Sequence, residues 1–172
     1  ASSRGLGDVY KRQLDDCSGV SINDIDIEIK LNNKTFQNRG DLLITHWGFS
    51  GPAVLKLSAI AAREMFSQKY KFNLIIKWSV LSYEELKEKI NFLRIKKGKV
   101  NLINSRPLPK LTKRLWIFLL NKIGINKEKK WADLLGDERD KIINTLIRDK
   151  YIISGKGPFG EEFVTSGGVK IN

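Results

Sequence analysis

The only histidine of the chain, His46, lies in the run Thr45-His46-Trp47-Gly48-Phe49-Ser50-Gly51-Pro52. An imidazole titrates near neutral pH, so it can hold or release a proton and donate a hydrogen bond. The residues after it suit a strand-to-helix turn. Gly48 permits a tight or positive-φ bend. Ser50 can cap a helix, Gly51 lets a ligand approach the backbone, and Pro52 suits a first helical turn. A helix from Pro52 to Met65 would begin with free N–H groups at the positive end of its dipole, which attracts electron-rich groups. The same residues also suit a plain turn beside a structural histidine, and both readings stand. A Gly-x-Ser-x-Gly hydrolase elbow is excluded, because the second glycine is out of place.

A second glycine-rich run, Val164-Thr165-Ser166-Gly167-Gly168-Val169, pairs two hydroxyls with a bare backbone. Taken alone, Gly167-Gly168 is an ordinary turn signal. Cys17 and His46 cannot make a zinc cluster, so no metal site is expected. Nothing near Cys17 would depress its pKa, so it reads as a small apolar residue rather than a proton donor. One cysteine makes no internal disulfide, and no apolar run reaches the roughly 18 residues of a membrane helix. A reducing, cytoplasmic setting is the default.

The elements that would position these runs follow from periodicity. Ile25, Ile27, Ile29 and Leu31 alternate with Asp24, Asp26, Glu28 and Lys30, which predicts a half-buried strand. Asn32-Asn33 predicts a turn, with a hairpin strand at 35–38 and, past Gly40-Asp41, a separate short strand at 42–46. Residues 70–80 predict a strand with Phe72, Leu74, Ile76 and Trp78 on one face. Helices are expected from a capping box at Ser82 and Glu85 to Gly98, from Leu111 to a stop at Gly124, over 127–136, and over 137–150. Two more strands close the chain, at 151–155 and 161–168. Strands, then helices, then strands predict an α+β fold: a small β unit interrupted by a helical subdomain. The division is 1–13 as a non-native leader, 14–80 as the β-rich part, 81–149 as the helical subdomain, and 150–172 as returning strands. No Gly-x-Gly-x-x-Gly dinucleotide turn appears.

The net charge is +12, and residues 87–130 carry 14 Lys/Arg against 2 Asp/Glu. The entire surplus therefore falls in the helical part. It suggests a phosphate-rich partner, or simply a solvated lysine-rich face. Trp116 and Phe118 sit in an apolar helical stripe and read as core, not as base-stacking platforms.

Residues 40–59, "GDLLITHWGFSGPAVLKLSA", resemble the hallmark G-x-L-L-x-T-H-x-G-x-S-G-P-x-x-L-x-x-S segment of YhiN/BaiN-like FAD-dependent oxidoreductases. "FVTSGGVKI" at 163–171 resembles the same family's V-T-x-G-G-V segment, and "LDDCSGVSINDIDIEI" its lead-in. The resemblance implies an insert domain, a β-barrel-like unit carrying a helical subdomain. A separate FAD-binding domain of the same full-length chain would hold the cofactor, so this piece alone should not turn over. It further implies hydride transfer from NAD(P)H through FAD to an unsaturated substrate, with uridine in ribosomal RNA as one candidate. Thr45, Gly48, Ser50, Gly51, Pro52, Thr165, Gly167 and Gly168 would then line the flavin-side cleft, with His46 as hydrogen-bond or proton donor. Trp47 would cover the flavin, stack a base, or merely pack. Lys96, Lys97, Lys99, Lys110, Lys113 and Arg114 would steer RNA. A non-catalytic RNA-binding module and a small-molecule reductase with merely solubilising lysines are the alternatives.

Overall fold

A computed structural model describes residues 14, 16–157 and 162–166. The expected non-native leader, Gly167 and Gly168 lie outside the described residues. The α+β architecture is present: a closed six-stranded barrel interrupted by a helical excursion. The chain divides into two compact units, one of residues 1–76 with 150–172 and one of residues 77–149. Among the described residues no helix is long and apolar enough to cross a membrane.

Strand β1 (Ser21–Leu31) buries Ile25, Ile27, Ile29 and Leu31 and turns its acidic residues outward, as alternation requires. A bulge between Ile22 and Ile25 is accommodated by Asp24 at φ 51°. Asn32 and Asn33, both at positive φ, form a two-residue hairpin loop into β2 (Lys34–Ile44). The two short strands expected at 35–38 and 42–46 are thus one strand of 11 residues. Gly40 does not punctuate it. A Cβ there would lie 3.1–3.4 Å from the backbone and side chain of Ala53, so the glycine lets a helix lie close to the strand.

The barrel runs β1–β2–β3–β6–β5–β4, with β4 (Phe72–Lys77) closing against β1. Strand β3 (Gly48–Ser50) falls inside the run expected to be all turn. It pairs with β2 through Leu43↔Ser50 and with β6 (Phe163–Thr165) through Gly48↔Val164 and Phe49↔Phe163. Strand β5 (Asp149–Lys156) completes the circuit through Ile153↔Thr165. Inside, Phe49 meets the Tyr151 ring edge-on at 4.8 Å and Phe72 meets Phe163 at 5.1 Å. The single helix expected over 52–65 is two, α1 (Pro52–Ile60) and α2 (Ala62–Ser67), meeting at Ala61 with φ −105° and ψ 17°.

The helical unit contains α3 (Tyr83–Lys96), α4 (Lys113–Lys122) and α5 (Gly136–Ile147). Ser82 caps α3 by accepting from the Glu85 amide, and Thr112 caps α4 through Leu115. Gly124, at φ 75°, ends α4 as expected. Trp116 and Phe118 are core residues, and Trp116 stacks on Trp131 at 6.3 Å. The helix expected over 127–136 is replaced by one 3₁₀ turn, Trp131–Asp133. Tertiary pairing wins there: Trp131 donates its amide to Val100, Ala132 to Gly98, and Asn101 bridges to Lys130.

The strand expected to carry Trp78 stops at Lys77. Trp78 belongs to the helical unit, where its indole N–H donates to Asp149 Oδ2 at 2.9 Å. The Lys122 ammonium pairs with the other Asp149 oxygen, and the two side chains are only 5% and 3% exposed. Burial pushes the Lys122 ammonium below its ordinary pKa, and the Asp149 charge opposes this. A chain entering at Trp78 and leaving at Asp149 is thereby fastened at both ends.

Removing one member of a buried ion pair strands the other without a partner. Asp149→Ala is expected to cost about 3–5 kcal/mol, read as a lowered urea midpoint, and Lys122→Met combined with Asp149→Leu should recover most of it. A Cβ on Gly48 would sit 1.8 Å from the Phe163 carbonyl oxygen. Gly48→Ala should therefore destabilise the barrel by about 3 kcal/mol or more, whereas Gly136→Ala, with open space around its Cα, should shift the thermal midpoint little.

Candidate functional site

Two chain segments more than a hundred residues apart form one wall of the barrel. The Thr165 amide and hydroxyl both donate to the Trp47 carbonyl oxygen, at 2.9 and 3.0 Å. On the other side of the turn, the Thr45 amide donates to the Gly48 carbonyl, and the Gly48 amide returns to Thr45 Oγ1 at 3.1 Å. Residues 45–48 are thus a tight loop held from within by Thr45 and from outside by Thr165. Its tip is exposed: His46 is open to solvent and Trp47 is 55% exposed. Thr45 and Ser50 are half-buried and Gly48 is buried.

The glycines have jobs within the chain. Gly48 is not at positive φ; its missing Cβ allows the close approach of β6. Gly51, at φ 96°, and not Ser50, occupies the N-cap position of α1. A Cβ on Gly51 would meet the Asp41 carbonyl oxygen at 2.9 Å and the Leu43 nitrogen at 3.0 Å. The first turn beyond exposed Pro52 is packed into the barrel unit, with Ala53 and Val54 fully buried. The accessible chemistry of this wall is therefore the His46–Trp47 tip rather than the helix start.

Glu162, a residue that periodicity and spacing did not single out, joins it. Burial pushes its carboxyl above the ordinary value, partly offset by the His46 charge. One carboxyl oxygen is buried with no hydrogen-bond partner among the described residues. The backbone offered the only clue: Glu162 immediately precedes Phe163, the strand partner of Phe49. The wall presents an aromatic face, an imidazole and a carboxyl held toward its protonated form. Among the described residues no group of three His, Cys, Asp or Glu side chains could hold a metal.

In the helical unit, Lys96, Lys97, Lys99, Lys110, Lys113 and Arg114 are all exposed. Two apolar side chains emerge beside the first three. Phe92 is 59% exposed and Ile95 80%, three residues apart on α3. Neither was distinguishable from a core position in the sequence, since both occupy plausible helical spacing. An exposed aromatic among lysines has the composition of a surface that meets bases and phosphates together.

The chain matches the family description "HI0933-like protein barrel and H2TH domain" over residues 9–164. A search among curated proteins gives no match. The match spans the closed barrel, both halves of the His46–Thr165 wall as far as Val164, and the whole helical excursion. By that match and this architecture the chain belongs to the HI0933-like family of flavoproteins, FAD-dependent oxidoreductase-like proteins, as their barrel and H2TH insert domain.

Proposed function

We propose that this domain forms the substrate-side wall of an FAD-dependent oxidoreductase that acts on RNA. The observation that carries the reading is the double hydrogen bond from Thr165 to the Trp47 carbonyl, which holds His46 and Trp47 outward on a rigid tip. The donor set suits a planar redox ring: an indole face to lie against, an imidazole to donate, and a carboxyl with an unpartnered oxygen nearby. Thr45, Gly48, Ser50, Gly51, Pro52 and Thr165 frame that tip, while the FAD-binding domain of the same full-length chain would hold most of the cofactor. The flavin, when bound, supplies hydride taken from NAD(P)H and passed to an unsaturated acceptor. His46 would hold or deliver the accompanying proton, and Trp47 would exclude water from the ring face.

The acceptor best matched by charge is a base in RNA, and uridine in ribosomal RNA is the reading we adopt, which sets the work in the cytoplasm. Phosphate contacts dominate nucleic-acid affinity. Lys96, Lys97, Lys99, Lys110, Lys113 and Arg114 would provide them, with Phe92 as an aromatic surface for a base.

The complete reading frame, purified, should carry the absorption bands of bound flavin; a colourless protein refutes the oxidoreductase reading. In it, Lys96→Glu, Lys97→Glu and Lys99→Glu together should weaken RNA binding and reduce the slope of log K against log salt by about 2–3. An unchanged slope assigns the lysines to solubility and favours a small-molecule substrate.

The second test concerns the tip. His46→Gln should leave thermal stability unchanged, because the side chain is exposed, while turnover of the full-length protein falls by about a hundredfold or more. A carboxyl whose pKa is raised by folding contributes stability below its ordinary value, and that contribution is lost as pH rises through the raised value. Glu162→Gln should therefore match the parent in urea unfolding at about pH 4 and exceed it at about pH 8.

A further inference from the structure

The barrel carries a second feature, distinct from the His46–Trp47 tip. A cleft of about 550 Å³ opens where β1, β4 and β5 meet the residue after β6. That volume is in the usual range for small-molecule sites, about 300–1,000 Å³. Its floor is apolar, formed by Leu31, Phe72 and Ile153, all buried. Lys30 and Lys71 stand among the lining residues, and among the described residues no carboxylate does. Neither lysine has an ion-pair partner among the described residues. Gln68 and Asn73 add carboxamides, which offer both donors and acceptors.

The rim is organised. Asn32 stands in the hairpin loop at positive φ, and Lys69 and Tyr70 form a second left-handed turn after α2. Gln68 Nε2 donates to Asn32 Oδ1 at 2.6 Å and ties these two loops together. A separate observation points to a missing partner. Ser166 is a lining residue, and its hydroxyl oxygen is buried at the cleft's edge with no hydrogen-bond partner among the described residues. A buried hydroxyl without a partner costs stability, so its retention asks for a ligand.

We infer that this cleft is a nucleotide site: it takes a phosphorylated nucleoside, with the phosphate at Lys30 and Lys71, the base over the apolar floor, and polar edges met by Asn73, Gln68 and Ser166. A bare anion would leave the apolar floor wet. A plain hydrocarbon would strand the two cations and the carboxamides. A nucleotide satisfies both halves. The inference stands on the barrel alone and is independent of the reading given to the helical unit.

The test is titration of the chain with AMP, UMP, adenosine, inorganic phosphate and a short oligouridylate, followed by backbone amide shifts. AMP or UMP should move the amides of residues 30–33, 71–73 and 166. Adenosine and phosphate should each bind about tenfold more weakly, since each supplies half the contacts. Lys30→Glu with Lys71→Glu should weaken nucleotide binding by about tenfold or more without changing thermal stability, because both side chains are exposed. Ser166→Ala, which removes only the orphan hydroxyl, should weaken it less. An oligouridylate that binds the same residues more tightly than UMP identifies an RNA strand as the source; equal binding identifies a free nucleotide. Shifts confined to the helical unit, phosphate binding as tightly as AMP, or undiminished binding by the double lysine variant would each overturn the assignment.

Discussion

The pairing of β3 with β6 is the contact on which the barrel and its candidate site both depend. It is small, two residue pairs and the two hydrogen bonds from Thr165 to the Trp47 carbonyl. Without it the circuit β1–β2–β3–β6–β5–β4 is open and two strand edges are bare. Gly48 is the residue that makes it possible, because any side chain at that position would overlap the Phe163 carbonyl. The same pairing sets the loop at 45–48 against Thr165. Fold closure and presentation of His46 are thus one structural event.

The helical excursion solves a different problem. A lysine-rich segment with a surplus of positive charge must still enclose a core. It does so around Trp116, Trp131 and the apolar stripes of α4 and α5, while keeping its charged side chains outside. The one lysine drawn fully inside, Lys122, is matched by Asp149, and Asp149 in turn takes the Trp78 indole N–H. A buried pair of this kind is costly to desolvate and gives little net stability, but the Trp78–Asp149 bond beside it penalises any arrangement in which the two ends separate. It therefore specifies where the excursion begins and ends more than it strengthens it.

Much of this was legible in the chain. The alternation of β1, the Asn32-Asn33 turn, the cap at Ser82 and the stop at Gly124 all depend on neighbours within a few residues. What failed to show depended on distant partners. Gly40 and Gly48 read as punctuation, since a sequence cannot reveal that Ala53 or Phe163 will lie against them. Residues 127–136 have helical composition, yet backbone pairing to Gly98 and Val100 limits them to turns and one 3₁₀ turn. Trp78 continued a strand pattern although its partner, Asp149, is 71 residues away. Of the site, the motifs identified the His46 loop and Thr165. Glu162 was invisible because its character comes from burial, and Phe92 because its exposure does.

The long interruption between β4 and β5 also governs the order of events during synthesis. Thr165 reaches the Trp47 carbonyl across 118 residues, so the ring cannot shut until Thr165 itself has left the ribosome. The hairpin of β1 and β2 has only local contacts to make and can form early. The helical excursion emerges next and can settle by itself, since its fastening involves only its own residues. During that interval β3 and β4, whose partners β6 and β5 come after the excursion, wait with their outer edges unpaired and exposed to other nascent chains. Yield is then expected to depend on translation speed and chaperone supply as well as on the stability of the finished barrel.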